Sequence, residues 1–202
     1  VLFYAPSFIA SGIGFLAHTL VSGYWASAFS EDILHFSLNL AAYFLSLGVG
    51  SLLSESVKKP NIRSLYLITL LGAFWLGIEV SLLKLCISTF GPLHFIPILF
   101  VCISGVLAGI VVPLTLRISS KPKSLNLSLL FFWDYTAAVL FSTIFTFVFL
   151  VPLGYLKTSA IVSSASILIS IIILASSNSE FCGQFAQCWS REMDEGRVAA
   201  SA

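Results

Sequence analysis

Residues 93–123 read LHFIPILFVCISGVLAGIVVPLTLRISSKPK. The first part, 93–116, carries no full charge; Arg117, Lys121 and Lys123 then follow in quick succession. Wound as an α-helix, the uncharged part is about 36 Å long, enough to cross a hydrocarbon core about 30 Å thick. The basic cluster behind it marks the face at which the helix leaves the bilayer.

Working outward, the same design recurs along the chain. Apolar stretches run over about 2–29, 33–54, 65–88, 93–116, 128–151 and 155–176. Lys58, Lys59 and Arg63 separate the second from the third, as Arg117, Lys121 and Lys123 separate the fourth from the fifth. Glu31, Asp32 and Lys157 are the only full charges in the other connections. The pattern predicts an all-α, polytopic transmembrane bundle of about six spans over 1–177, and a short cytoplasmic tail over 178–202. Basic loops stay inside, so both termini are expected in the cytoplasm, the membrane being of the bacterial inner type. A six-span bundle resembles half of a two-half transporter, which works with a second half or as a homodimer.

Composition narrows the function classes. With 58% hydrophobic and 9% charged residues, the 202-residue chain cannot cover a water-facing surface. Its net charge of +1 is divided by topology, leaving no basic stripe for nucleic acid. The expected partners are the lipid bilayer and other membrane subunits or a second copy. No charged leader with a small-residue cleavage site precedes the first stretch, so no removable signal peptide is expected. Cys182 and Cys188 stand in the tail with a spacing that is not a usual zinc signature, and two further ligands are missing. No metal and no cofactor are expected.

Breakers fall between the stretches, at Lys59-Pro60-Asn61, Gly91-Pro92, Lys121-Pro122 and Pro152 with Gly154. Small residues are set out for helix packing, with Gly105 and Gly109 four apart in the fourth stretch. Ser159, Ser163, Ser166 and Ser170 make one stripe down the sixth. Such stripes let helix backbones approach in lipid. The serines therefore read as a seam, with a polar conduit as the other reading.

Ionisable residues inside the spans are the functional leads, because a charge in lipid is costly and needs a partner, water or a neutral form. Counted at about 1.5 Å per residue from the cytoplasmic face, Glu79 sits about 21 Å up and His18 about 24 Å up. Asn39 falls at a similar level, and Lys84 lies just above, where it can snorkel outward. His18, Asn39, Glu79 and Lys84 form a candidate intramembrane polar site, either a proton or cation site or a buried structural cluster. Asp134, about 9 Å up, is level with Arg117, and the two are expected to pair as a structural clamp between consecutive helices. No phosphate loop and no nucleophile–base constellation stands out, so no catalytic residue is assigned.

Several short patterns carry a family resemblance over about 10–175. They are Ser11-Gly12-Ile13, Leu40-Ala41-Ala42-Tyr43-Phe44, Leu47-Gly48-Val49-Gly50-Ser51-Leu52-Leu53, Ala108-Gly109-Ile110-Val111-Val112-Pro113-Leu114 with Arg117, Trp133-Asp134, and Val151-Pro152-Leu153-Gly154. In order and spacing the chain resembles the membrane domain of the spermidine-synthase-like proteins, the fused polyamine aminopropyltransferases. That family adds a soluble synthase domain with a glycine-rich loop for its nucleoside cofactor and acidic residues for the amine; these 202 residues contain neither. The resemblance thus implies a non-catalytic membrane module, acting as anchor, scaffold or accessory subunit, and not an enzyme. The alternative is a transporter-like module for a proton or an organic cation such as a polyamine.

Overall fold

Apolar stretches of this length satisfy their backbone hydrogen bonds internally, and all four of the first stretches become helices. In the computed structural model α1 spans Tyr4–Phe29, α2 Ile33–Leu53, α3 Ile62–Phe90, α4 Phe95–Ile118 and α5 Leu127–Leu140. A single 3-10 turn, Ser54–Ser56, extends α2, and a π-helical segment, Phe141–Leu150, continues α5. Helix then runs on over 151–172. The structure describes residues 4–29, 33–58, 60–91, 93, 95–118, 127–172 and 174–175. The tail 178–202, with Cys182 and Cys188, lies outside the described residues, as do Glu31, Asp32, Lys59, Lys121 and Lys123. Residues 1–170 form one unit and 171–202 another, of which only 171, 172, 174 and 175 are described, all helical.

The helix ends follow local chemistry. Asn61 caps α3 with a reciprocal capping box: Asn61 Oδ1 accepts from the Ser64 backbone N–H at 2.7 Å, and Ser64 Oγ accepts from the Asn61 N–H at 3.1 Å. At the other end Gly91 takes φ 76°, which a glycine adopts without steric cost, and its N–H reaches the Ile87 carbonyl at 3.0 Å.

Among the described residues five helices are long and apolar enough to cross a membrane, where the sequence suggested six. The difference lies at the end of the chain. The expected fifth and sixth spans share one helical run of 46 residues, Leu127–Ile172. Straight, that run would be about 69 Å long, more than twice a hydrocarbon core. It does not stay straight. Gly154 takes φ 77° inside it. Before that glycine, Trp133 packs on Phe8 and Phe141 fills the space beside Gly12. Beyond it, Tyr155 packs on Tyr24, while Ser166 and Ile169 lie beside Tyr4 and Ile9. Relative to α1, the two halves therefore run in opposite directions.

α1 is the central helix, packing on α2, α3, α4, α5 and the π segment. Its Ser7, Ala10, Gly12, Gly14, Ala17 and Ser22 are all buried and leave it narrow enough for that position. The α2–α4 seam is equally close. A Cβ on Gly105 would stand 2.8 Å from the Tyr43 carbonyl oxygen, and one on Gly109 would stand 2.9 Å from the Leu47 carbonyl carbon. Gly50 meets Val106 in the same way from the α2 side. The serine stripe faces inward too. Ser163 Oγ donates to the Ala73 carbonyl of α3 at 2.7 Å, and Ser159, Ser166 and Ser170 are buried.

Helix neighbours do not follow chain order throughout. Among the described residues α2 does not pack on α3, nor α4 on α5, whereas α1–α2 and α3–α4 do pack. The unpacked pairs are those joined by the two basic connections. The eight residues between Ile118 and Leu127 can reach across about 30 Å, so nothing obliges those helices to be neighbours.

Candidate functional site

Among the described residues three polar groups lie buried or half-buried in the bundle, each built on a pair of residues four apart on one helix, the spacing that stacks side chains on one face.

The first uses Ser7 and Ser11 of α1. Both hydroxyls donate to Oδ1 of Asp134 on α5, Ser7 at 2.9 Å and Ser11 closer still. Among the described residues none donates to the second oxygen, Oδ2. Asp134 also lines a cavity of about 390 Å³ between α1, α2, α5 and the π segment, whose walls include Phe15, Tyr43, Phe44, Tyr135 and Thr143. Gly14 makes room for the Tyr43 ring, since a Cβ there would lie 2.7 Å from its hydroxyl.

The expected Arg117–Asp134 pair does not form. Arg117 turns to α2, where Nη1 donates to the Ser54 carbonyl at 2.6 Å and Nη2 to the Val57 carbonyl at 3.0 Å. The reason is packing: α5 lies on α1, not on α4, so a shared depth does not become a shared neighbourhood.

A second group uses Trp75 and Glu79 of α3. Glu79 is fully buried; its Oε2 accepts from Ser104 Oγ of α4 at 2.9 Å. Ser104 in turn accepts from Trp75 Nε1 at 3.0 Å. Glu79 Oε1 is buried and has no hydrogen-bond partner among the described residues. The Trp75 ring stacks on Phe100 at 5.4 Å, which fixes the indole over the serine.

The third uses His18 and Ser22 of α1. His18 Nδ1 and Ser22 Oγ are 3.2 Å apart, and Asn39 Nδ2 of α2 donates to the same hydroxyl at 3.2 Å. The imidazole stacks on Tyr43, with centroids 5.8 Å apart, and its buried Nε2 has no hydrogen-bond partner among the described residues. The expected outer cluster thus divides: His18 and Asn39 belong to the α1–α2 contact, Glu79 to the α3–α4 contact. Lys84 is exposed and joins neither. Sequence reasoning matched depths, but the helix faces carrying Glu79 and His18 address different partners.

Ser7, Ser11, Ser22, Tyr43, Trp75 and Ser104 were missed at the sequence level. A usable signal existed for four of them, since Ser7/Ser11, His18/Ser22 and Trp75/Glu79 are polar pairs spaced by four. Among the described residues no group of three or more His, Cys, Asp or Glu side chains is placed to hold a metal.

Comparison with known proteins gives a relationship to one class of enzyme by name. The chain is 32% identical over 164 residues to a polyamine aminopropyltransferase of Leptospira interrogans, an alignment covering 78% of the chain and 32% of that protein. It is 28% identical over 157 residues to polyamine aminopropyltransferases 2 and 1 of Ralstonia nicotianae, covering 75% of the chain and 31% and 30% of those proteins. The chain therefore spans about a third of the length of the curated relatives it matches. No family model matches it. No solved structure matches it.

Proposed function

We propose that these residues form a membrane module of the spermidine-synthase-like kind, acting as anchor, scaffold or accessory subunit, and taking no direct part in aminopropyl transfer. One observation carries this reading: the segment that matches the aminopropyltransferases is built of long apolar helices. Its outer face is apolar as well, with Leu45, Leu71, Phe74, Phe132 and Phe147 each more than half exposed. In water such a belt would drive association; in a bilayer it is the expected lipid-facing or subunit-facing surface. The reversal at Gly154 supports six crossings, the last two being the arms of the 46-residue run. The basic connections then lie in the cytoplasm with both termini, in a membrane of the bacterial inner type.

Purification from native membranes tests the assignment. A reproducible set of co-purifying subunits supports it. Aminopropyl transfer by the purified 202-residue chain itself would overturn it.

A second reading, a transporter-like module for a proton or an organic cation, is favoured by the Asp134 cavity. An isolated homodimer that moves such a cation across proteoliposomes would replace the scaffold reading with this one.

A further inference from the structure

A carboxylate set in apolar walls needs a counter-charge or donors for both oxygens. Asp134 has donors for one. Ser7 and Ser11 both address Oδ1, and among the described residues none addresses Oδ2. Arg117, the cation expected beside it, is committed to the carbonyls of Ser54 and Val57. The cavity that Asp134 lines is about 390 Å³, within the range of small-molecule sites, and it is a cleft open on one side, where Phe44 and Tyr135 are more than half exposed. Its aromatic lining comes from three helices, with Phe15 on α1, Tyr43 and Phe44 on α2 and Tyr135 on α5. Ring faces attract cations and accept aliphatic surface equally well.

We propose that this cavity binds a singly charged organic ammonium ion, its headgroup on Asp134 Oδ2 and its apolar body along the aromatic wall. Ser7 and Ser11 are positioning residues that hold the carboxylate by its other oxygen. The charge count sets the class. Among the described lining residues Asp134 is the one carboxylate. A polyamine would bring further ammonium groups against rings and aliphatic side chains without a counter-charge, and each would lose its hydration unrewarded. The inference deepens the transport reading by naming a substrate class, yet the site stands by itself as a binding site.

The test is calorimetric titration of n-hexylammonium chloride into the purified chain in lipid nanodiscs. Saturable one-to-one binding is expected, with hexanoate failing to bind. Asp134→Asn keeps an acceptor for Ser7 and Ser11 but removes the charge, and should weaken binding about tenfold or more. Ala138 also lines the cavity, so Ala138→Leu should fill it and weaken binding similarly while leaving helicity and the thermal midpoint close to wild type. No saturable binding, or unchanged affinity in both variants, would overturn the proposal. Spermidine binding more tightly than n-hexylammonium would overturn the single-charge assignment. Binding without flux in proteoliposomes would keep this site and discard the transport reading.

Discussion

Arg117 donates both arms of its guanidinium to the carbonyls of Ser54 and Val57, at the start of the 3-10 turn after α2 and just past its end, at 2.6 and 3.0 Å. A planar fork can serve two acceptors at once, which an ammonium on a flexible stem cannot do as well. Arg117→Ala should cost about 1–3 kcal/mol, with Arg117→Lys intermediate, read as a shift in a detergent unfolding curve. Because Asp134 uses other partners on another helix, the losses from Arg117→Ala and Asp134→Ala should add. A coupling above about 0.5 kcal/mol in the double-mutant cycle would contradict the separation. The Glu79 group allows a sharper comparison. Ser104 is the hub, accepting from Trp75 and donating to Glu79. Ser104→Ala should strand both and cost about 1–2 kcal/mol, whereas Glu79→Gln preserves the acceptor and should cost less. Equal losses, or a larger loss for Glu79→Gln, would mean that the carboxyl does more than accept from Ser104. That Glu79 is buried was legible from its position in an apolar stretch. Its partner was not, because Ser104 lies 25 positions away on α4.

At the scale of elements, glycines divide by what faces them. Gly105, Gly109 and Gly50 are pressed against backbone of the facing helix, which cannot step aside as a side chain can. Gly48 and Gly72 face open space. Gly109→Ala should therefore destabilise the bundle by about 1–3 kcal/mol through overpacking of the α2–α4 seam. Gly48→Ala and Gly72→Ala should be neutral or stabilising by up to about 1 kcal/mol, since alanine is the better helix former. Thermal midpoints of the three variants in one detergent would check the ordering, and a Gly109→Ala protein as stable as Gly72→Ala would refute the seam. Gly154 is a separate case, open around its Cβ but held at φ 77°. Gly154→Ala should cost about 1–2 kcal/mol from backbone strain alone. The glycine pair of α4 was legible as a packing motif. That α2 is the helix it receives was not, because four-residue spacing describes one surface and says nothing of its mate.

For the whole molecule, the proposed six crossings would put the two ends of the 46-residue run on the same side of the membrane. Lys58→Cys and Ala175→Cys should both resist an impermeant thiol reagent added outside sealed cells, and Lys157→Cys, next to the reversal, should react. The native cysteines are first replaced by serine. Labelling of Ala175→Cys but not Lys58→Cys would mean that residues 127–172 cross once.

That this chain is a set of long apolar helices was legible in its amino-acid sequence. Hydropathy, caps and breakers act within a segment: a helix closes its own backbone hydrogen bonds, Asn61 and Ser64 cap each other across three residues, and Gly91 ends a helix by its own φ. Which helices touch was settled by packing across the bundle. α1 takes the centre because its small residues let four helices approach it, α4 receives α2 at two glycines, and α5 settles on α1 although it follows α4. A connection long enough to reach several neighbours leaves that choice to the fit of surfaces and to the few polar groups each buries. Asp134 therefore met Ser7 and Ser11 instead of Arg117, and the carboxylate came to line a cavity.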